Sequence, residues 1–510
     1  MLAVINFGSQ LSHLIARRVR DLGVYSEILP WDMPANEIRK LNPAGIILSG
    51  GPASVYNKCS PMADRGIFGL GIPVLGICYG MQLIGKEFGR VENKQIKEYG
   101  KAELKIKKNG RLLKGLSKKE QVWMSHGDAV SRLTNFDVLA FTGSCPVAAV
   151  ENNDKKIYGL QFHPEVVHTL KGNKIFSNFV FDICKAEKDF DISDLKEKLM
   201  QEIRHTAGRN DVLMATSGGV DSTVAAVLMH KAIGNRLHCV FIDHGLIRNN
   251  ERKEVEQAFK KYFEFENFYS VDASAIFLKK LKGITDPEKK RKIIGHTFIE
   301  VFEKKARELE EKHPKISFLG QGTIYPDRIE SAQPSKEASK IKSHHNLTLP
   351  RKMHLRVIEP LKDLYKDGVR KLGKELNIPD EILNRHPFPG PGLGIRVLGE
   401  ITAERLSILR QADYIFIEEL RKSGYYGKVW QALAALFPIK AVGVMGDART
   451  YEYVISLRAV TSIDAMTADW AKLPPSLLEK ISSRIVNEVR GVNRVVYDIT
   501  QKPPGTIEYE

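Results

Sequence analysis

The sequence predicts an α/β protein: two α/β domains with mainly parallel sheets, then a small α+β domain. Short β-rich runs alternate with helical stretches over residues 1–188 and again over residues 189–385, a pattern typical of parallel sheets. The character changes at His386, where three prolines and three glycines within nine residues exclude a helix or a central strand. A chain of 510 residues is also too long for one core. We therefore predict domains at 1–188, 189–385 and 386–510.

Composition indicates a globular protein, with 43% apolar and 27% charged residues. Because no uncharged apolar run reaches about eighteen residues, we expect no membrane partner. The five cysteines are scattered and lack C-x-x-C spacing, which favours neither a disulfide framework nor a zinc site and predicts a cytoplasmic location. The formal charge of +16 comes from lysines mixed with glutamates, as in residues 303–308. Such mixing is typical of solvated helices, so we expect anionic nucleotide substrates and no nucleic-acid partner.

In the first domain, strand-like runs end at glycine-containing turns that could hold functional residues. Residues 45–48 end at a glycine pair, and residues 72–77 lead into Cys78, which lies between Gly76 and Gly80. Ligands bind at the carboxyl ends of parallel strands, and small flanking residues permit the sharp turn that exposes a nucleophile. A buried structural cysteine is the simpler alternative.

His163 and Glu165 favour the catalytic interpretation of Cys78. They follow the β-rich run 156–162, and the period of two along a strand places both on the same side. The carboxylate can then orient the imidazole beside the thiol. We predict a nucleophile, base and orienting acid.

The second domain opens with an apolar run, 212–215, and a Gly-Gly turn that begins a helix. Paired glycines allow close backbone approach, and a helix N-terminus attracts anions. No lysine follows the glycines, so this is not the G-x-x-x-x-G-K-[ST] loop. We predict a phosphate-binding loop made of Ser217, Gly218, Gly219, Val220, Asp221, Ser222 and Thr223.

Resemblances to two known families imply a reaction for the Cys78 motif and for the phosphate-binding loop. Residues 76–82 and 163–165 resemble class I glutamine amidotransferases. That resemblance implies glutamine hydrolysis through a thioester on Cys78, with His163 as base and acid and Glu165 holding it. It further implies an oxyanion hole and glutamine pocket that involve Gly50, Gly51, Gln82, Ser125 and His126.

Residues 217–222 resemble the signature of N-type ATP pyrophosphatases. This implies that ATP is split between its α and β phosphates, with Mg²⁺ bound with ATP and Asp221 as the candidate metal ligand. We expect no tightly bound organic cofactor. The polar stretch 280–345 is either disordered surface or a set of lids that close cations over the phosphates. The lid candidates are Lys336, Lys340, Lys342, His344 and His345.

The whole chain resembles the GMP synthase family, in residues 341–346, 386–392, 443–447 and the tail from Lys502. The resemblance implies that ATP adenylates the C2 oxygen of xanthosine monophosphate (XMP), and that ammonia made at Cys78 displaces AMP to give GMP. It implies a homodimer through the third domain, which also completes the XMP site. The XMP candidates, whose side chains suit a phosphate or a purine edge, are Arg291, Gln431, Asp447, Lys502 and Glu508.

Two alternatives remain open from the sequence. An NAD or argininosuccinate synthetase would share only residues 190–330 and would leave the amidotransferase half unexplained. An RNA-binding tRNA thiolase would use the basic charge. It would need a sulfur-carrying cysteine near the loop, and Cys239 is the only cysteine in residues 190–510.

Overall fold

The computed structural model describes residues 1–510 except 10, 58–59, 167, 191, 328–354 and 463–466. The chain forms two compact units, Met1–Asp191 and Ile192–Glu510. Both units are α/β, and the second also holds an α+β region, which confirms the predicted fold class. The domain boundaries at 188 and 385 stay predictions.

The first unit is built on a nine-stranded sheet of order β2-β1-β3-β4-β9-β8-β7-β5-β6. Neighbours from β2 to β9 pair in parallel, and those from β9 to β6 pair antiparallel. The predicted parallel sheet is therefore only the half that carries Cys78. The strands are β1 (Leu2–Asn6), β2 (Ser26–Pro30), β3 (Gly45–Leu48), β4 (Val74–Ile77), β5 (Gly89–Ile106), β6 (Lys119–Leu133), β7 (Asp137–Phe141), β8 (Ala149–Asn152) and β9 (Ile157–Leu160).

Helices cover both faces of this sheet. Leu2 and Val4 of β1 pack in one apolar cluster, whereas Ala3 and Ile5 pack in another. Because alternate strand residues point to opposite faces, β1 is buried on both sides, as its uninterrupted apolar run predicts. The helices are α1 (Ser12–Asp21), α2 (Ala35–Lys40), α3 (Tyr79–Phe88) and α4 (Gly172–Ser177).

The second unit begins with a parallel sheet of order β12-β11-β10-β13-β14. Its central strand β10 leads directly into the predicted phosphate loop. The strands are β10 (Asp211–Thr216), β11 (Leu237–Asp243), β12 (Phe268–Asp272), β13 (Ile316–Gly320) and β14 (Arg356–Ile358). The helices are α5 (Ile192–Ala207), α6 (Val220–Ile233), α7 (Glu251–Gln257), α8 (Ser274–Leu281), α9 (Pro287–Lys312), α10 (Lys366–Glu375) and α11 (Asp380–Leu383).

The α+β region pairs a long antiparallel hairpin with two helices. It comprises α12 (Ala403–Lys422), β15 (Gln431–Met445), β16 (Ala448–Thr461), β17 (Asp469–Trp470), α13 (Pro475–Glu488) and β18 (Val492–Tyr497). One apolar cluster includes Leu213 and Val240 of the parallel sheet together with Leu409 and Ile455 of this region. A shared core explains why residues 192–510 form a single unit. No helix within the described ranges is long and apolar enough to cross a membrane.

Candidate active sites

Cys78 lies at a sharp turn between β4 and α3. Its φ is +52°, a conformation that costs a non-glycine residue energy and that recurs at functional sites. The neighbouring glycines make the turn possible. A Cβ on Gly76 would lie 2.6 Å from the Gly80 backbone, and one on Gly80 would lie 2.3 Å from the Leu48 backbone oxygen. Only glycine fits at these two positions.

His163 lies between the thiol of Cys78 and the carboxylate of Glu165. Its Nδ1 is 2.7 Å from Glu165 Oε1, and its side chain hydrogen-bonds to Cys78. Burial of the imidazole lowers its pKa. The negative charges of Glu165 and Cys78 outweigh this effect, and the pKa of His163 is raised well above its usual value. The imidazole can therefore take the thiol proton and hold it.

Backbone and side-chain hydrogen bonds fix the position of His163. Its N–H donates to the Trp123 carbonyl at 3.0 Å, and its own carbonyl accepts from Thr169 Oγ1 at 2.6 Å. Arg18 Nε donates to the Glu165 carbonyl at 3.0 Å. Strand β6 and helix α1 thus hold the base and its orienting acid in register with the thiol.

Two of the predicted oxyanion and glutamine residues lie beside the thiol. A Cβ on Gly50 would be 3.2 Å from His163 Cε1 and 3.8 Å from Cys78 Cβ, so this backbone borders the reacting atoms. The Ser125 carbonyl oxygen is 3.6 Å from Cys78 Sγ. Gly51 is packed, because a Cβ there would be 3.0 Å from the Phe7 carbonyl oxygen.

The other two predicted residues are engaged by the protein. The buried Gln82 amide donates from Nε2 to the Asp128 carbonyl at 2.8 Å. His126 is also buried, and its Nε2 lies 3.5 Å from Glu98 Oε2. Both side chains tie β6 to its neighbours, which supports the pocket wall.

The predicted phosphate loop is preorganised by the Ser222 hydroxyl. This oxygen accepts from the Ser217 N–H at 3.3 Å, lies 3.1 Å from Ser217 Oγ and donates to the Gly219 carbonyl at 3.1 Å. Gly218 has φ +74°, and a Cβ there would lie 2.5 Å from Val255. The turn is therefore closed before any ligand arrives, and α6 presents its first N–H groups at the mouth.

Not every residue of the loop faces the mouth. Val220 and Thr223 are buried in the packing of α6, so their side chains support the loop. Gly322, which follows β13, approaches so closely that a Cβ would lie 3.1 Å from Ser222 Cα. The carboxyl ends of β10 and β13 thus form one mouth.

Asp221 has the features of a cation ligand. Its Oδ1 is buried without a hydrogen-bond partner in the part of the chain that the structure describes, and its Oδ2 lies 3.6 Å from Lys366 Nζ. A buried carboxylate oxygen without a donor is costly unless a cation binds it. The Lys366 ammonium, at the start of α10, provides positive charge at the same mouth.

The C-terminal tail docks on buried cations. Glu508 accepts from Arg396 Nε at 3.0 Å and from Arg396 Nη2 at 2.8 Å, and also from the Gln431 amide. The Arg396 side chain is fully buried. Arg291 donates to the Glu510 carbonyl. The structure therefore brings three predicted XMP residues, Arg291, Gln431 and Glu508, onto the same tail assembly.

Three family profiles match separate parts of the chain. Glutamine amidotransferase class-I matches residues 3–183, NAD synthase matches residues 191–281, and the GMP synthase C terminal domain matches residues 418–509. Proteins named GMP synthase (glutamine-hydrolyzing) from Aquifex aeolicus and Carboxydothermus hydrogenoformans are each 56% identical over 510 residues, covering 99% of both chains. This chain belongs to the glutamine-hydrolysing GMP synthase family.

Membership of the GMP synthase family confirms the predicted resemblance and the predicted class of enzyme, a ligase with a glutamine amidotransferase domain. It also decides between the alternatives. The NAD synthase profile covers 91 residues at 191–281, whereas the GMP synthase relatives match the amidotransferase half and the tail as well. The smaller match fits the ATP loop that both families share.

Asp447 does not join the other XMP candidates within one protomer. It is exposed in the two-residue turn of the β15–β16 hairpin, with φ +62°, whereas Gln431 begins β15. A strand of 15 residues separates the two by on the order of 40 Å. Asp447 therefore does not lie beside Gln431 within one chain, and its contact with XMP stays a prediction. Its left-handed φ beside Gly446 suits a hairpin turn, which accounts for the Gly-Asp pair.

The remaining predicted residues are Lys502 and the five lid candidates. Lys502 pairs its backbone with Ala468 in an isolated bridge, which fixes the start of the tail. The lid candidates Lys336, Lys340, Lys342, His344 and His345 lie outside the described residues.

Sequence reasoning missed two cations near the loop, Lys366 and Arg385. Arg385 Nη1 donates to the Gly218 carbonyl at 3.5 Å, although the two residues are 167 positions apart in the chain. Arg385 Nη2 forms an ion pair with Glu254 at 2.9 Å. Its one sequence signal is its place directly before the proline-rich motif at His386. Nothing local marks Lys366.

Proposed function

We propose that this chain makes GMP from XMP, ATP and glutamine, with Cys78, His163 and Glu165 as the glutaminase residues and residues 217–223 as the ATP loop. The observation that carries the proposal is the presence of two candidate sites in one chain. A strained thiol joins a buried His–Glu pair in one unit, and a preorganised phosphate loop lies in the other. The full-length match to named GMP synthases supports the same reaction.

The glutaminase half follows from the geometry around Cys78. The thiol gives its proton to His163, and the thiolate attacks the amide carbon of glutamine. His163 then protonates the departing ammonia, and water hydrolyses the thioester to glutamate. Glu165 holds the imidazole, and the backbone at Gly50 is placed to stabilise the oxyanion.

The synthetase half uses the loop between β10 and α6. The C2 oxygen of XMP attacks the α-phosphorus of ATP, and pyrophosphate leaves. Ammonia then attacks C2 of the adenylated purine, and AMP leaves with the oxygen, giving GMP. The N–H groups at the start of α6 and the Lys366 ammonium are placed to hold the phosphates.

Asp221 fits a role in binding Mg²⁺. Its buried Oδ1 has no donor among the described residues, and hard cations prefer carboxylate oxygens. When bound with ATP, Mg²⁺ would neutralise charge on the departing pyrophosphate. Asp221 would hold it at the mouth of the loop, and Lys366 would balance the remaining charge.

The direct test is an assay with purified protein, glutamine, ATP, Mg²⁺ and XMP. Conversion of xanthine to guanine absorbance should require all four components and should release AMP and pyrophosphate in equal amounts. Glutamate should accumulate with GMP. Replacing XMP with deamido-NAD or citrulline plus aspartate should give no product, and a product in either case would overturn the assignment.

Glu508→Gln should weaken XMP binding. The carboxylate is held by Arg396 and Gln431, and its loss leaves the buried Arg396 guanidinium with the more distant Asp413 carboxylate, at 3.6 Å, as its remaining ion pair, which is unfavourable for a buried charge. We expect the KM for XMP to rise at least tenfold, about 1.4 kcal/mol, with the KM for glutamine unchanged. Glu488→Gln, an exposed ion-pair residue of α13, is the matched control. An unchanged KM for XMP in Glu508→Gln would show that Glu508 of the C-terminal tail is not part of the XMP site.

We also propose that the chain forms a homodimer through the tip of the β15–β16 hairpin. Val442, Val444 and Tyr451 are 56%, 74% and 63% exposed. Val442 pairs with Tyr451 across the hairpin, and Val444 lies on the same strand face two residues on. Apolar side chains of this size on an open hairpin favour pairing with another copy.

Val444→Asp should therefore shift the protein toward monomer. A buried carboxylate at the centre of such an interface has no partner and opposes association. Sedimentation velocity should show the dimer in the wild type and in Ile276→Asp, which changes an exposed apolar residue of α8. Equal dimer content in Val444→Asp would place the interface elsewhere.

The predicted cytoplasmic location stays a proposal, as do the expected absence of a nucleic-acid or membrane partner and of a tightly bound organic cofactor. Cys145, Cys184 and Cys239 are buried, and none of them forms a disulfide among the described residues. Burial raises the pKa of the Cys184 and Cys239 thiols far above their usual value, which disfavours the reactive thiolate form. This state of the cysteines agrees with a reducing compartment.

A further inference from the structure

Three potential metal ligands meet at the amino end of the second unit's parallel sheet. Asp211 begins β10, His238 is the second residue of β11, and His313 directly follows the last residue of α9. Each offers one ligand atom, and these atoms all lie within 4.8 Å of one another. The ATP loop leaves the carboxyl end of β10, so this cluster lies at the opposite edge of the sheet and takes no part in the proposed reaction.

The spacing of Asp211 and His238 suits a shared ion. His238 Nε2 lies 3.3 Å from Asp211 Oδ2. The two atoms are within hydrogen-bonding distance, although a charge-assisted hydrogen bond is usually shorter, about 2.7–2.9 Å. Two ligands at about 2.0–2.1 Å from a tetrahedral ion are about 3.3 Å apart. The observed separation therefore matches two corners of a tetrahedron.

The other ring nitrogen of His238 has the outer partner that a metal-bound histidine requires. Nδ1 faces the Tyr269 hydroxyl at 3.4 Å, and Tyr269 in turn donates to Asn267 Oδ1 at 3.3 Å. Such partners fix the orientation of a ligating imidazole. The rings of His238 and His313 have centroids 4.4 Å apart, so the third ligand is adjacent.

Burial at the cluster suits entry and retention of an ion. His238 is 1% exposed, whereas Asp211 and His313 are partly exposed. An ion can therefore arrive from solvent and keep a water molecule as a fourth ligand. Two imidazoles and one carboxylate suit Zn²⁺, Co²⁺ or Ni²⁺ better than Mg²⁺ or Ca²⁺, which prefer oxygen ligands.

We propose that Asp211, His238 and His313 bind one divalent transition-metal ion, with Zn²⁺ as the best-fitting ion. The ion joins the starts of β10 and β11 to the end of α9. It acts as a structural cross-link in the sheet that carries the ATP loop, and it is separate from the Mg²⁺ proposed at Asp221. Binding to the folded state alone should raise stability with metal concentration.

The test uses the full-length chain stripped with a chelator and titrated with Co²⁺, then with Zn²⁺. Cys78→Ser serves as the parent for all samples, so that the reactive thiol does not contribute. We expect one Co²⁺ per chain, with the visible bands of a tetrahedral site and no thiolate charge-transfer band. Zn²⁺ should displace Co²⁺, so that the visible bands disappear, and it should raise the melting temperature of the protein.

Two variants remove ligands with little change in shape, Asp211→Asn and His313→Gln. Each should raise the Kd for Co²⁺ at least tenfold and abolish the tetrahedral bands, while the metal-free melting temperature stays close to that of the parent. His205→Gln, on an exposed position of α5, should bind like the parent. Failure of the parent to bind Co²⁺ stoichiometrically at micromolar concentration would overturn the proposal, and so would unchanged binding in His313→Gln.

Discussion

Cys78→Ala should lose glutamine-driven GMP synthesis by several orders of magnitude. Without the thiolate no thioester can form, and neither His163 nor Glu165 can replace it. The synthetase half needs only free ammonia. With an ammonium salt at a pH that supplies NH₃, the variant should make GMP at close to the wild-type ammonia-driven rate. Initial rates with each nitrogen source, followed by guanine absorbance, measure both expectations.

Companion variants separate the roles of the three residues. His163→Ala should behave like Cys78→Ala, because the imidazole is the only base hydrogen-bonded to the thiol among the described residues. Glu165→Ala should be milder, since the carboxylate orients the ring. Cys184→Ala, which changes a buried thiol of the same unit, is the matched control. If Cys78→Ala retained glutamine-driven synthesis, Cys78 would not be the glutaminase nucleophile. If the folded variant lost both glutamine-driven and ammonia-driven synthesis, Cys78 would also act outside glutamine hydrolysis.

Asp221→Asn should reduce synthesis with either nitrogen source by at least about 10²–10³-fold, the range expected for removing one preorganised electrostatic contact. The amide keeps the shape of the side chain and its place in α6. It removes the negative charge that the buried Oδ1 presents at the mouth of the loop, so binding of Mg²⁺ with ATP should weaken. Rates measured over a range of Mg²⁺ should show a rise in the concentration needed for half-maximal activity.

A surface change tests whether this loss is specific. Glu375→Gln lies at the exposed end of α10 and should keep full activity. The melting temperature of Asp221→Asn should remain near that of the wild type, because no hydrogen bond to the buried oxygen is lost. Normal ammonia-driven synthesis at low Mg²⁺ in Asp221→Asn would exclude this residue as the metal ligand.

Local sequence pattern was enough to predict the elements that hold both candidate reaction centres. The apolar run before Cys78 and the run before Ser217 each occur as a buried strand followed by a glycine turn and a helix. These signals are local, because side-chain period and glycine conformation act over a few residues. The pairing of His163 with Glu165 was predicted from strand alternation, but β9 ends at Leu160, and the turn that follows it brings the two side chains together.

The sequence pattern did not indicate those residues whose role depends on contacts with distant parts of the chain. Arg396 carries no motif, yet it binds Glu508 across 112 residues. Asp447 lies in a stretch that resembles the family, yet the β15–β16 hairpin places it at the end of β15 opposite to Gln431. The antiparallel half of the first sheet was not predicted, because strands of either direction share the same alternation.

The sequence by itself determined the fold class and predicted the candidate nucleophile, the His163–Glu165 pair and the candidate phosphate loop, since each of these depends on residues near one another in the chain. Only the tertiary structure decided that Lys366 faces Asp221, that buried cations hold the tail, and that Asp211, His238 and His313 converge. Those three ligands come from separate elements with no common spacing. The physical reason is that ion pairs and ligand sets depend on distance in space, which chain folding sets and local periodicity does not encode.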